Sequence, residues 1–320
     1  MTGRSGAGPH QRRSETSDRP SRVLDSASIR ATMRAAGLQI RHSLSQNFLV
    51  DVDVLEGIVA AAHPGHGERI LEIGPGLGIL TGALLEAGAA VTAVEIDRGL
   101  VYWLRKRFDS EISLAGSAPG SPGSLCLVEG DVLDQDLGAL VEPPFSVVAN
   151  LPYHITSPVL HRLLELPAPP AQMVLMVQKE VAQRIAAPPG SMSYLSVFVQ
   201  YHARVRVALA VPRTAFEPEP KVESAVIVVE PPGSGVPDRL TPDAEDDLWR
   251  LVQSAFRERR KMLHNVLVRQ LRMEPARVRA ALDAVGIDPD RRPQTVSVEE
   301  WLALRAALVP DGFGDRAADG

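Results

Sequence analysis

The sequence predicts an α/β protein, a doubly wound and mostly parallel sheet followed by a small all-helical domain. Three observations carry that prediction. Short apolar runs alternate with helical patterns between residues 70 and 178. A glycine-rich turn follows the first of those runs. Beyond a break at Pro231-Pro232-Gly233-Ser234-Gly235, the apolar spacing becomes helical.

Strands are expected at Arg69–Ile73, Ala90–Ile96, Leu125–Glu129, Phe145–Ala149 and Met173–Val177. Each is a near-continuous apolar run, the pattern of a parallel strand covered on both faces. Helical segments such as Leu80–Glu86 and Leu100–Phe108 lie between them, so the crossovers should be right-handed. Two further strands, Arg204–Leu209 and Ala225–Glu230, are joined by a Pro-rich loop without a helical period. A direct link of that kind makes a pair antiparallel. The sheet is thus expected to have seven strands, most of them parallel.

In the second domain Leu248, Leu251, Val252, Ala255 and Phe256 fall on one helix face. Pro275 and Gly286 bracket Ala276–Val285 as an N-terminal Pro and a C-terminal Gly do. Ser297-Val298-Glu299-Glu300 is a capping box ahead of Trp301, Leu302 and Leu304. Residues 1–26, rich in Gly, Ser, Pro and Arg, are expected to be a disordered extension. The expected domains are then 27–232 and 236–310, with a tail at 311–320. The segment 115–124, AGSAPGSPGS, reads as a surface loop insertion.

Composition narrows the function classes. Of 320 residues, 45% are hydrophobic and 23% charged, which suits a soluble globular chain. No apolar stretch is long enough to span a membrane. The N-terminal arginines are interrupted by Gly3, Gly6, Gly8 and Pro9, so no amphipathic targeting helix is expected. Cys126 is the single cysteine and reads as a small apolar strand residue, with no disulfide and no metal site. A reducing, cytoplasmic setting follows. The net charge of −5 argues weakly against nucleic acid, but the positive charge is clustered. Residues 256–272 hold Arg257, Arg259, Arg260, Lys261, Arg269 and Arg272 against one acid, Glu258.

The glycine turn is Leu71-Glu72-Ile73-Gly74-Pro75-Gly76-Leu77-Gly78. A dinucleotide fold needs a third glycine where Ile79 stands, and a phosphate loop needs Gly-Lys-Ser/Thr; neither is present. What remains is G-x-G-x-G with an acid before it, a close backbone approach without an anion cradle. Glu95 ends the second strand, placed to accept from two ribose hydroxyls. Asp131 follows the third strand, where a carboxylate can accept from an adenine amine. Together they describe a site for S-adenosylmethionine on a Rossmann-like class I methyltransferase sheet.

The fourth strand ends Asn150-Leu151-Pro152-Tyr153. An adenine N6 amine is a poor nucleophile because its lone pair is delocalised into the ring. Accepting its two hydrogens at the Asn150 side-chain oxygen and the Leu151 carbonyl favours the pyramidal geometry that attack requires. Pro152 fixes the turn and holds Leu151 extended. Tyr153 can stack on the base. Transfer from a sulfonium then needs positioning more than a general base.

A chain with these features resembles the dimethyladenosine transferases of small-subunit ribosomal RNA, the KsgA/RsmA family. The resemblance rests on SQNFLVD at 45–51, LEIGPGLGILT at 71–81, VEID at 94–97, GDVL at 130–133 and NLPY at 150–153. It continues through QKEVA at 178–182, LSVFVQY at 195–201, FEPEPKVESAV at 216–226 and FRERRK at 256–261. It implies two methyl transfers to each of two adjacent adenosines near the 3′ end of 16S rRNA, on the RNA or a 30S-type preribosomal particle; nothing in the sequence suggests more than a monomer. It further implies that Asn47 and Leu49 contact the cofactor beside Gly74, Glu95, Asp131 and Asn150, and that Phe216 faces Tyr153 across the target adenine. Without the family, Asn47 reads as a helix cap and Phe216 as a core aromatic. Ser45 stands where the family usually has Gly, and His154 where Asn commonly follows the Tyr.

Two other readings compete. Antibiotic-resistance methylases of large-subunit rRNA share QNFL and an Asn-x-Pro-aromatic motif, but their glycine turn usually resembles GAGxG rather than Gly74-Pro75-Gly76. A non-catalytic assembly or transcription accessory factor would not need an intact Asn150–Tyr153 loop. The stretch Arg257–Lys261 is expected either to contact RNA backbone or to be a solvated helix face.

Overall fold

The computed structural model describes residues 26–38, 46–112, 120–232 and 240–308. The expected extension, except Ser26, the tail, the first half of the 115–124 insertion and most of the interdomain break lie outside these residues. The elements run α1 (Ser26–Ala35), β1 (Phe48–Leu49), α2 (Val52–Ala62), β2 (Arg69–Ile73), α3 (Ile79–Glu86), β3 (Ala90–Glu95), α4 (Arg98–Arg107) and β4 (Leu125–Glu129). Next come α5 (Leu137–Leu140), β5 (Ser146–Asn150), α6 (Thr156–Leu164), β6 (Gln172–Gln178), α7 (Lys179–Ile185), α8 (Tyr194–His202), β7 (Arg204–Val211), β8 (Phe216–Glu217) and β9 (Ser224–Glu230). The helical part holds α9 (Pro242–Phe256), α10 (Leu263–Leu271), α11 (Pro275–Ala284) and α12 (Val298–Leu308).

Seven of these strands form one sheet in the order β4-β3-β2-β5-β6-β9-β7. The first five are parallel, and β9 pairs antiparallel with both β6 and β7. Period-two alternation explains why these strands read as unbroken apolar runs. In β5, Val147 and Ala149 join the core on one face while Val148 joins the core on the other. Both faces are dry, so the middle of the strand, Val147 to Ala149, is apolar throughout. The chain reverses its winding between β2 and β5, and a sheet of this kind opens a crevice at the strand ends there.

The edge strand β4 departs from the pattern. Only one face of an edge is covered throughout its length, and Cys126 on β4 is exposed rather than a buried apolar filler. The helix after β1 has Asp51, not Asn47, as its N-cap, with the Asp51 side chain accepting from the Val54 amide at 3.0 Å. The pair β1–β8 joins Phe48–Leu49 to Phe216–Glu217, with Leu49 opposite Phe216. Two-residue strands carry no period, and nothing in the local pattern announces this pairing.

The helical part has its own core around Leu248, Leu251, Val252, Leu282, Trp301 and Leu304, and Phe256 packs half-buried against it. The Ser297–Glu300 capping box closes as expected, with the Ser297 amide donating to Glu300 at 2.8 Å and the Glu300 amide donating to Ser297 Oγ at 3.2 Å. Met192 and Val197, from the sheet domain, belong to the same core. The amides of Gly190 and Met192 donate to the Gln294 carbonyl at 2.9 and 3.1 Å. Residues 257–261 form a turn between α9 and α10, not the helix face considered above.

Candidate active site

A single cavity opens at the carboxyl ends of β2, β3, β4 and β5. Asn47, Leu49, Gly74, Glu95, Asp131, Asn150, Leu151, Pro152 and Tyr153 all line it. Phe216 does not: it is 2% exposed, packed behind the wall opposite Leu49. The four cations at 257–261 are not in the wall either.

The glycine turn carries the chain from β2 into α3 along the cavity floor. Gly76 has φ 59°, and its amide donates to Glu95 Oε2 at 3.1 Å. Gly78 has φ 78° and abuts α4 so closely that a Cβ would lie 2.5 Å from the Phe108 ring. A side chain at either position strains the backbone, and at Gly78 it also forces α4 away. From α4, Trp103 Nε1 and Arg107 Nη1 both donate to the Leu77 carbonyl, at 3.3 and 3.0 Å. Helix and turn therefore move as one piece.

Two carboxylates are buried beneath this turn. Glu95 is 5% exposed, with Oε1 accepting from the Asp97 amide at 2.9 Å and Oε2 from Gly76. Burial pushes its pKa up, while those amides pull it down. A carboxylate can accept about four hydrogen bonds, so two amides orient it and leave capacity for ligand hydroxyls. Glu72, 1% exposed, also lines the cavity, and its Oε2 has no partner among the described residues. Burial first, then the nearby Glu95 charge, push its pKa up to about 8, against a downward pull from Thr81. An orphaned buried carboxyl facing a cavity fits a ligand that brings a cation or a donor. The sequence shows Glu72 only as the acid before the turn; its burial comes from its place in the middle of the sheet.

The remaining wall has two loops. After β4, Asp131 Oδ1 accepts from the Leu133 amide at 2.8 Å, which turns the chain sharply. This loop is braced from outside the cavity by Arg162 of α6. Its guanidinium donates to the carbonyls of Val132 at 3.3 Å, of Gln135 at 2.6 Å and of Leu133. After β5, Asn150 Nδ2 donates to the Asn47 carbonyl at 3.2 Å. Because a carbonyl only accepts, this bond turns the amide nitrogen toward Asn47 and leaves the side-chain oxygen as an acceptor for a ligand. Pro152 stands against the glycine turn, its Cδ 3.8 Å from where a Gly74 Cβ would lie. The Tyr153 hydroxyl meets Ser224 Oγ at 2.8 Å. Ile96, 47% exposed, adds an apolar face at the mouth that the sequence marks only as the end of a strand.

The neighbouring Asp97, acidic like Glu95, is a helix cap: its side chain accepts from the Gly99 and Leu100 amides at 2.8 and 3.2 Å. On the helical part, Arg257, Arg259, Arg260 and Lys261 are exposed. Glu258 among them is paired with Arg269 at 2.6 Å. That pairing leaves Arg259, Arg260 and Lys261 without an ion-pair partner among the described residues. No cluster of metal-ligating side chains occurs among the described residues, and no helix there is long and apolar enough to cross a membrane.

Known proteins resemble this chain over most of its length. A family model described as ribosomal RNA adenine dimethylase matches residues 37–308. A ribosomal RNA small subunit methyltransferase A of Geobacter sulfurreducens is 42% identical over 287 residues, spanning 88% of this chain and 99% of that protein. The crystal structure of the 23S rRNA methyltransferase ErmE superposes with TM-score 0.64 at 27% identity, covering 82% of this chain and 99% of its own. A dimethyladenosine transferase from Plasmodium falciparum gives TM-score 0.64 at 26% identity, covering 80% and 95%. The sheet with its helical appendage is the class I methyltransferase fold.

Proposed function

Since the chain belongs to the ribosomal RNA adenine dimethylase family, we propose that it methylates the N6 amines of two adjacent adenosines near the 3′ end of small-subunit rRNA. It is an enzyme, an S-adenosylmethionine-dependent 16S rRNA (adenine-N6,N6)-dimethyltransferase. The observation that carries this reading is the Asn150–Tyr153 loop standing against the Gly74 turn in one cavity.

S-adenosylmethionine supplies an electrophilic methyl group on a sulfonium. The residues suit it as a set. Glu95, oriented by two amides, suits ribose hydroxyls; Asp131, oriented by the Leu133 amide, suits an adenine amine; and the orphan carboxyl oxygen of Glu72 suits an ammonium. The Gly74 and Gly76 backbone, with Asn47 and Leu49, closes around it. On the target side, the Asn150 side-chain oxygen and the Leu151 carbonyl accept the two N6 hydrogens. Tyr153 offers a face for the base, and Phe216 supports that wall from behind β1. These groups bind and orient the base; as the methyl leaves the sulfonium, S-adenosylhomocysteine forms and one N6 proton passes to water, so positioning supplies most of the rate. Arg257, Arg259, Arg260 and Lys261 meet RNA phosphates.

The partner is small-subunit rRNA within a 30S-type particle, and the enzyme works as a cytoplasmic monomer. Mapping modified adenines in a strain lacking the gene tests the substrate. Loss of dimethyladenosine from small-subunit rRNA is expected, whereas loss from large-subunit rRNA alone would transfer the assignment to the activity named for ErmE.

A further inference from the structure

Stacking on the target base engages the ring of Tyr153 but not its hydroxyl, which has a partner of its own. Tyr153 Oη and Ser224 Oγ lie 2.8 Å apart, across 71 residues of sequence. Ser224 is fully buried and opens β9, where it stands opposite Gln178, the last residue of β6. β6 in turn separates β9 from β5, the strand that ends at Asn150. Tyr153 therefore reaches sideways over the end of β6, toward a strand two spacings (roughly 9–10 Å) from its own.

This anchors the side chain at both ends. The backbone of Tyr153 is fixed in a tight turn, with the Ile155 amide donating to the Pro152 carbonyl at 3.1 Å and Thr156 Oγ1 donating to the Tyr153 carbonyl at 3.3 Å. The far end is fixed by Ser224, which is fully buried and paired on both sides, with Gln178 of β6 and Val211 of β7. A half-buried tyrosine without that bond has other staggered χ1 wells open to it, and each swings the ring off the cavity wall. Ser224 does not line the cavity and so cannot touch base or cofactor.

We propose that Ser224 is a positioning residue for methyl transfer, its hydroxyl fixing the plane of the Tyr153 ring against which the target adenine stacks. This rests on the reading of Tyr153 as the stacking platform. The plainer role of a buried serine is to satisfy its own hydroxyl, and that role affects stability alone.

The test compares the full-length parent with Ser224→Ala, Tyr153→Phe, the double variant and Tyr153→Ala, on undermethylated small subunits. It reads kcat, KM for the particle, thermal midpoint, and affinity for S-adenosylhomocysteine by calorimetry. Ser224→Ala and Tyr153→Phe remove the same bond from opposite ends. Each should lower kcat about three- to tenfold, the scale of one hydrogen bond, with affinity for S-adenosylhomocysteine unchanged. The double variant should be no slower than either single one. Parental kcat in Ser224→Ala, or losses that multiply in the double variant, would overturn the proposal. If Ser224→Ala does not fold, Tyr153→Phe still decides, since parental kcat there overturns it too. Tyr153→Ala separates the two layers. An inactive Tyr153→Ala beside a fully active Ser224→Ala removes only the role of Ser224, whereas an active Tyr153→Ala removes the stacking platform and this proposal with it.

Discussion

Glu72 and Glu95 lie 1% and 5% exposed beneath the glycine turn, whereas Arg259, Arg260 and Lys261 stand in open solvent between α9 and α10. Both groups are candidate ligand contacts, yet they hold charge in opposite conditions. The buried acids are pushed toward their neutral form and gain full strength when a ligand arrives. The exposed cations are always charged, and water and salt weaken them throughout. A buried acid can therefore select one small molecule by geometry, while an exposed cation can only favour a polyanion.

The largest effect that sharpens this contrast is on stability. Glu72 holds its proton up to about pH 8 when folded but releases it near 4.5 when unfolded, so the folded state binds more protons between those values. Stability should fall as pH rises through that window, by an amount on the order of a few kcal/mol. Glu72→Gln should flatten the fall, as read by urea unfolding at pH 5 and pH 9. An equal slope in the variant would remove Glu72 from the account.

Next comes Glu95→Gln, expected to weaken S-adenosylhomocysteine by about 10- to 100-fold, since hydrogen bonds to a charged group are each worth roughly 1.5–3 kcal/mol. The loss should persist in 0.5 M salt, because the site is shielded from screening. Reversing Arg257, Arg259, Arg260 and Lys261 to Glu should weaken RNA binding about tenfold at low salt and shrink the salt dependence of what remains. A loss that survives high salt would mean that the turn is read by shape. The smallest expected effect is Arg162→Ala, which frees three carbonyls of the Asp131 loop. Affinity for S-adenosylhomocysteine should drop about threefold to tenfold and exchange of the 131–135 amides should quicken, with kcat at saturating cofactor little changed.

The same contrast governs what was legible in the sequence. Strands covered on both faces announced themselves, and Val147, Val148 and Ala149 read as a continuous run because each faces one of two dry cores. Glu95 and Asp131 were legible because strand ends converge by topology. The β1–β8 pair was not, because two residues carry no period and their partner lies far along the chain. Local pattern alone makes Asn47 a helix cap, yet its carbonyl accepts from the Asn150 amide, a bond across 103 residues that no local pattern contains. The burial of Glu72 and the reach of Arg162 to three carbonyls likewise appear only once the sheet is closed. Charge at 257–261 was plain in the sequence, but whether it formed helix or turn depended on how α9 and α10 pack.

Methyl transfer depends above all on the Asn150 amide at the end of β5. Undermethylated small subunits should be incubated with labelled S-adenosylmethionine and either the parent or Asn150→Ala, and the digested rRNA assayed for N6,N6-dimethyladenosine. The parent should convert two adjacent adenosines, and Asn150→Ala should lose nearly all transfer while still binding S-adenosylhomocysteine. Equal incorporation by the two proteins would contradict the mechanism.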